Sequence, residues 1–243
     1  MNGRDGVNKL QEIFKRIEKK YILNKNKKEI LLDKIKEHII SDKYGPSTIC
    51  NIYYDNLNHD LIRTSIDKPI YKEKVRLRSY NVPDKDSKVF LEIKKKYDGI
   101  VYKRRVSSTL KDIESFLECG EKFKCNKQIL NELEYCFKIY HLVPMLFLAY
   151  DREAYYDKDD KNFRITFDTN IIARDYDLKL EKGVYGEKLY DDNTYVMEVK
   201  CLGGLPLWFV KIINELEIYP TSFSKYGKVY INSMKNKKEK LHQ

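Results

Sequence analysis

Arg76 and Arg78, in Val75-Arg-Leu-Arg78, are the first residues of this chain whose spacing implies chemistry. In an extended strand, residues two apart share a face, so both guanidinium groups project one way while Val75 and Leu77 project the other. The same spacing pairs Glu92 with Lys94, Lys103 with Arg105, and Glu198 with Lys200. It also sets Arg16, Glu18 and Lys20 in one row, and Arg164, Thr166 and Asp168 in another. A solvated sheet face usually mixes signs and includes many Ser and Thr. Here long cationic side chains recur at one parity of several strands, where like charges repel unless carboxylates or a polyanion compensate. The chemistry this implies is the binding of an extended anion.

These residues need strands to position them. Strand-like alternation runs through residues 14–23, 48–55, 73–80, 88–96, 100–107, 143–156, 162–169 and 194–202. Turn signals such as Asp98-Gly99 and the polar cluster at 158–161 join neighbouring runs, which predicts a mainly antiparallel sheet. Helical periodicity is confined to residues 27–40, 110–118, 127–140 and 207–217, with Asn26, Thr109 and Asn126 as predicted N-caps and Pro206 near a first turn. The parity opposite the charges carries Ile17, Val75, Leu77, Ile93, Ile100, Val106, Ile165, Phe167, Met197 and Val199. If these pack outward under helices, the polar faces converge inward. The expected fold is therefore α+β: a closed antiparallel β-barrel with a polar, basic lumen and helices outside.

Composition narrows the class without deciding it. A formal charge of +10 favours anionic partners, and 243 residues with 42% apolar content suit one domain with a large core. The expected boundary is a single unit with its core at about 14–230 and a frayed basic tail at 233–243. No apolar run reaches the ~20 residues that span a bilayer, and the polar start of the chain carries no secretory signal pattern, which points to a cytoplasmic protein. Five cysteines without a CxxC pair predict reduced thiols, and the four histidines form no metal-binding motif.

Taken in order, several segments resemble one family. They are Phe14-Lys-Arg-Ile-Glu-Lys-Lys-Tyr21, Ile52-Tyr-Tyr-Asp-Asn56, Val75-Arg-Leu-Arg78, Leu91-Glu-Ile-Lys94 and Tyr150-Asp-Arg-Glu-Ala154. Further along come Phe163-Arg-Ile-Thr-Phe-Asp168, Met197-Glu-Val-Lys200, Leu205-Pro-Leu-Trp208 and Ser222-Phe-Ser-Lys-Tyr226. From about Phe14 to Tyr230 the chain is similar to the vacuolar transporter chaperone (VTC) domain, the polyphosphate polymerase module of the triphosphate tunnel metalloenzyme (CYTH-like) group.

That resemblance implies the triphosphate tunnel fold and transfer of the ATP γ-phosphate to a growing inorganic polyphosphate chain. It implies that Arg76, Arg78, Lys94, Lys103, Arg152 and Arg164 act on the reacting phosphates, and that Lys20, Arg16, Lys200 and Lys225 bind substrate. Glu198 would hold Mn²⁺ or Mg²⁺, with Glu18 and Glu92 as further carboxylates. Hydrolytic relatives carry Glu-x-Glu-x-Lys on the first strand, whereas this chain reads Arg16-Ile-Glu18-Lys-Lys20. One carboxylate fewer favours a polymerase over a tunnel-type triphosphatase or nucleotide cyclase. The alternative of another class is a non-catalytic polyanion-binding module. Against RNA, the basic residues occupy alternate strand positions without an RNP-like or helix-turn-helix signature. The expected partners are ATP and inorganic polyphosphate or pyrophosphate, with no nucleic acid and no transmembrane segment.

Overall fold

The computed structural model describes residues 16–67, 69–98 and 100–241. In chain order the first half forms β1 (Arg16–Asn24), α1 (Lys25–Ile35), β2 (Ile39–Ser41), β3 (Ser47–Asp55), α2 (Asp60–Ile66), β4 (Tyr71–Tyr80), β5 (Lys88–Tyr97) and β6 (Ile100–Thr109). Then follow α3 (Leu110–Cys119), α4 (Lys127–Tyr140), β7 (Val143–Asp157), β8 (Arg164–Arg174), β9 (Glu187–Lys188), β10 (Thr194–Leu202), α5 (Leu207–Glu215) and α6 (Lys225–Leu241). Among the described residues, no helix is long and apolar enough to cross a membrane.

The strands form one antiparallel sheet in the order β1-β10-β8-β7-β3-β4-β5-β6, with β2 added to β7 and β9 to β8. The α+β class and the antiparallel sheet agree with the sequence reading; the closed barrel does not. β1 pairs with β10 and β6 with β5, and among the described residues the two end strands do not pair with each other. The sheet nevertheless curls strongly. Register shifts at Tyr53/Tyr54 in β3 and Ala149/Asp151 in β7 bend its centre. As a result Lys94 on β5 reaches Glu18 on β1, Nζ to Oε2 at 3.3 Å, across the open side.

The apolar core lies mainly on the convex side. Val75, Leu77, Leu91, Ile93 and Val106 pack under α3 and α4 against Leu110, Ile113, Leu130 and Leu133. Tyr21, Ile165, Phe167, Met197 and Val199 pack under α1 and α5 against Leu31, Ile35, Phe209 and Ile213. Each such fully buried side chain contributes about 1.5–3 kcal/mol relative to exposure. Ile17 is half-buried, and Ile100, expected in this set, is exposed at the open start of β6. A third cluster lies on the concave side: Ile49, Tyr53, Leu146, Leu148 and Tyr150 meet Ile62 of α2 and Tyr226 of α6. One end of the concave face is therefore filled with apolar side chains, and the basic part is the remainder.

Several boundaries differ from the sequence reading for local reasons. Thr109 and Asn126 cap α3 and α4, accepting the Asp112 and Ile129 N–H groups. For α1 the cap is Asn24, not Asn26: its side chain accepts the Lys27 N–H at 2.8 Å as β1 ends. Ile39 and Ile40, read as helix, belong to β2, because the chain leaves α1 after Ile35 and pairs with Tyr156 and Asp157. Residues 233–241, expected to fray, continue α6 as far as Leu241.

Candidate functional site

Arg76 and Arg78 stand side by side at the centre of the concave face. Arg76 donates from Nε to Glu92 Oε2 at 2.8 Å and from Nη1 to the Tyr53 hydroxyl at 3.2 Å. Glu92 lies between β4 and β6 in register, with Arg76 on one side and Arg105 on the other, and Lys103 Nζ reaches its Oε1 at 2.6 Å. Burial pushes the Glu92 carboxyl up, but Arg76, Arg78 and Lys103 outweigh it and bring the pKa down to about 2. Burial draws the Lys103 ammonium down to about 8 against the attraction of Glu92. Arg78 is answered differently: its Nε donates to Asn51 Oδ1 at 3.0 Å and its Nη2 to the Tyr150 hydroxyl at 3.2 Å. Both acceptors are neutral in their ordinary form, and among the described residues no carboxylate lies within ion-pair distance of the buried Arg78, although Glu92 attracts it from further away.

On the β7–β8 side Asp168 organises a second cluster. Arg152 donates to it from Nε at 2.6 Å and from Nη2 at 2.8 Å, and Lys225 Nζ donates to Oδ2 at 2.5 Å. Asp168 is fully buried, and burial alone would raise its pKa; Arg152 and Lys225 hold it below the usual aspartate range. Lys225 comes from the first residue of α6. Ser224 starts that helix by accepting the Gly227 N–H at 3.2 Å. Tyr226 then anchors the helix through its hydroxyl to Asp55 Oδ2 at 3.3 Å, and Asp55 also accepts the Leu61 and Ile62 N–H groups at the start of α2.

The third cluster spans β1 and β10, where Glu18 faces Lys200 and Lys20 faces Glu198 in register. Lys200 Nζ lies 2.5 Å from Glu198 Oε1, and Lys20 Nζ lies 3.4 Å from Glu18 and 3.7 Å from Glu198. Burial opposes ionisation of Glu198, but Lys200, Lys20 and Arg152 hold it well below the usual carboxylate range. For Glu18, burial and Glu198 push up, and Lys94, Lys20 and Lys200 prevail. These two ionised carboxylates lie on neighbouring strands, and oxygen donors of this kind suit a hard divalent cation. Glu92 stands with Arg76, Lys103 and Arg105 instead, and the described residues bring no three His, Cys, Asp or Glu side chains together as a metal site.

The profile of the VTC domain matches residues 15–233. The chain belongs to the VTC domain family. No curated protein matches it. Among solved structures, a candidate adenylate cyclase from Bacillus halodurans shares its fold, at 12% identity over 87% of this chain and 94% of that one, with a TM-score of 0.54. A candidate adenylyl cyclase from Hippeastrum, described as having a dominant triphosphatase activity, matches at 15% identity over 87% of this chain and 93% of that one, with a TM-score of 0.49.

In this VTC domain the remaining sequence-derived candidates sit around the three clusters. Lys94 pairs with Glu18 and joins the first cluster to the third. Arg164 lies at the rim, 3.3 Å from Asp42 Oδ2, with its guanidinium over the Tyr156 ring. Arg16 begins β1, and its side chain lies outside the described residues. Cations on β1, β4, β5, β6, β7, β8, β10 and α6 thus share one face with Glu18, Glu92, Asp168 and Glu198, which they outnumber.

Some members of the site were not singled out from sequence. Asp168 carries no role in the sequence reading, although it shares strand parity with Arg164; in the fold it falls opposite Arg152. Lys74 shares parity with Arg76 and Arg78, and its Nζ donates to Ser224 Oγ at 2.8 Å. Asn51, Tyr53 and Tyr150 carry no charge in their ordinary form, so a search for charged pairs passes over them.

Proposed function

We propose that this VTC domain is a polyphosphate polymerase that moves the ATP γ-phosphoryl group to the end of an inorganic polyphosphate chain. The observation that carries the reading is the excess of cations over carboxylates on one concave face, with Arg78 buried and hydrogen-bonded to the Asn51 amide and the Tyr150 hydroxyl. Such a face is costly in the free protein and is relieved by a chain of phosphates. A terminal phosphate oxygen of the acceptor attacks Pγ. The bond from Pγ to the bridging oxygen breaks, and ADP leaves with the electron pair. The acceptor oxygen is already anionic near neutral pH, so no side-chain nucleophile is needed, and catalysis rests on alignment and charge neutralisation. Arg76, Arg78 and Arg152 present forked donors for paired oxygens, while Lys94, Lys103, Lys200 and Lys225 supply point charge. Glu198 with Glu18 would hold Mn²⁺ or Mg²⁺, which when bound neutralises phosphate charge.

The test is product analysis after incubating purified protein with ATP and Mn²⁺. Ladders of long phosphate together with ADP are expected. Free phosphate without ladders would make the protein a triphosphatase, cyclic nucleotide would make it a cyclase, and binding of polyphosphate without turnover would make it a polyanion-binding module; each outcome overturns the proposal.

A further inference from the structure

A cavity of about 280 Å³ opens on the convex side of the sheet, away from the basic face. On the sheet it is lined by Ile52 and Tyr54 of β3 and by Leu77 of β4. Outside the sheet it is lined by α3, through Glu114 and Leu117, and by the turn after β8, through Leu178 and Glu181. Side chains in a protein interior interdigitate and leave few gaps larger than a water molecule, so a mostly apolar space of this size is a departure from ordinary packing. An apolar cavity of ~150 Å³ holds benzene, and this one therefore has room for about two fused rings.

Two polar atoms of the lining are left without a partner. Tyr54 is only 8% exposed, and among the described residues its hydroxyl makes no hydrogen bond. Glu181 Oε2 is buried and unpartnered too, because Lys85 Nζ takes the other oxygen, Oε1, at 3.0 Å. A buried donor or acceptor without a partner is costly, and a molecule that meets it binds more tightly for doing so. Tyr54 is the deeper of the two, since the Glu181 side chain is 23% exposed.

The charged groups around the cavity narrow the chemistry of what fits. Lys85 already places its ammonium against both Glu114, at 2.6 Å, and Glu181, so a cationic ligand finds no carboxylate to itself, and an anionic one would face those two carboxylates. A neutral ligand remains. Burial and the nearby Glu114 push the pKa of Tyr54 up, so its hydroxyl keeps its proton and is available as a donor or an acceptor. A ligand hydroxyl matches it in either direction. We propose that this cavity binds a neutral apolar alcohol or phenol, with the ligand hydroxyl against Tyr54 and the apolar body between α3 and the turn at Leu178. The proposal is independent of what the concave face binds.

The test is equilibrium dialysis of the full chain against 2-naphthol and naphthalene, which share an apolar body and differ by one hydroxyl. Wild-type protein is expected to bind 2-naphthol with a dissociation constant of ~10–100 µM, about fivefold more tightly than naphthalene. Tyr54→Phe keeps the ring in the lining and should remove that preference, leaving the two probes within about twofold of each other. Leu117→Trp and Leu178→Trp each place an indole in the cavity and should abolish binding of both probes. Thermal melting shows which variants are folded, and having two blocking positions keeps the question answerable if one of them is not. No 2-naphthol binding by the wild type, or binding that survives in a folded tryptophan variant, would overturn the site. Equal affinity of the wild type for the two probes would show that water, not a ligand, satisfies Tyr54, and a hydroxyl preference that persists in Tyr54→Phe would overturn the role given to Tyr54.

Discussion

Arg152 clasps Asp168 through two parallel hydrogen bonds, Nε to Oδ1 at 2.6 Å and Nη2 to Oδ2 at 2.8 Å, with the carboxylate fully out of solvent. The pair is structural as well as electrostatic, because Lys225 depends on the same carboxylate. Asp168→Asn would leave two partly buried cations without a counter-charge. The expected cost is about 3–5 kcal/mol, read as a fall in the urea midpoint at unchanged slope. Stability within about 1 kcal/mol of wild type would show that water, not Asp168, neutralises Arg152.

Glu92 gives the fold an acid limit. Its folded pKa of about 2 lies below its ordinary value of 4.5, so its contribution is fully present above about pH 4.5 and is lost as pH falls towards 2. The shift corresponds to about 3 kcal/mol, and the carboxylate is almost wholly buried, so solvent screening takes little from it. Denaturation measured from pH 6 to pH 2 should show this loss in wild type and a flatter curve in Glu92→Gln. Parallel curves would contradict the assignment.

Arg78 tests the value of shape over charge. Asn51 and Tyr150 occupy two of its donors and fix the guanidinium plane, leaving other donors for a ligand. Arg78→Lys keeps the charge and loses the fork. We expect turnover to fall by about 10- to 100-fold with little change in thermal stability. Activity within about twofold of wild type would mean that charge alone suffices there.

Glu198 separates binding from turnover. Glu198→Gln removes one of the two carboxylates that would hold the metal while retaining the side-chain volume. Metal-dependent turnover should drop by at least about 100-fold, and tripolyphosphate should still bind, because the cations remain. Chain synthesis that survives this change would sink the metal-dependent mechanism. Loss of binding together with turnover would instead assign Glu198 to holding Lys20 and Lys200 in place.

Much of the sheet was legible because strand parity is a local property. Arg76 and Arg78 had to share a face once residues 73–80 were read as a strand, and Val75 and Leu77 had to share the other. Curvature is not local. Nothing in the segment 88–96 says that Lys94 meets Glu18, and nothing near Arg152 says that Lys225, arriving on a late helix, shares its carboxylate. The same limit explains α2. The residue before it, His59, provides no side-chain cap, and the N–H groups of Leu61 and Ile62 are accepted by Asp55, on the preceding strand. The predicted closed barrel failed for a related reason, since whether β1 and β6 meet is set by the curvature of the whole sheet and not by any one strand.

Alternation also separates two kinds of heritable change. Along β4, Val75 and Leu77 answer to the helices outside, and Lys74, Arg76 and Arg78 answer to whatever lies within. A lineage can therefore retune what the inner face holds by substituting every second residue of a strand, while the intervening residues keep the scaffold intact.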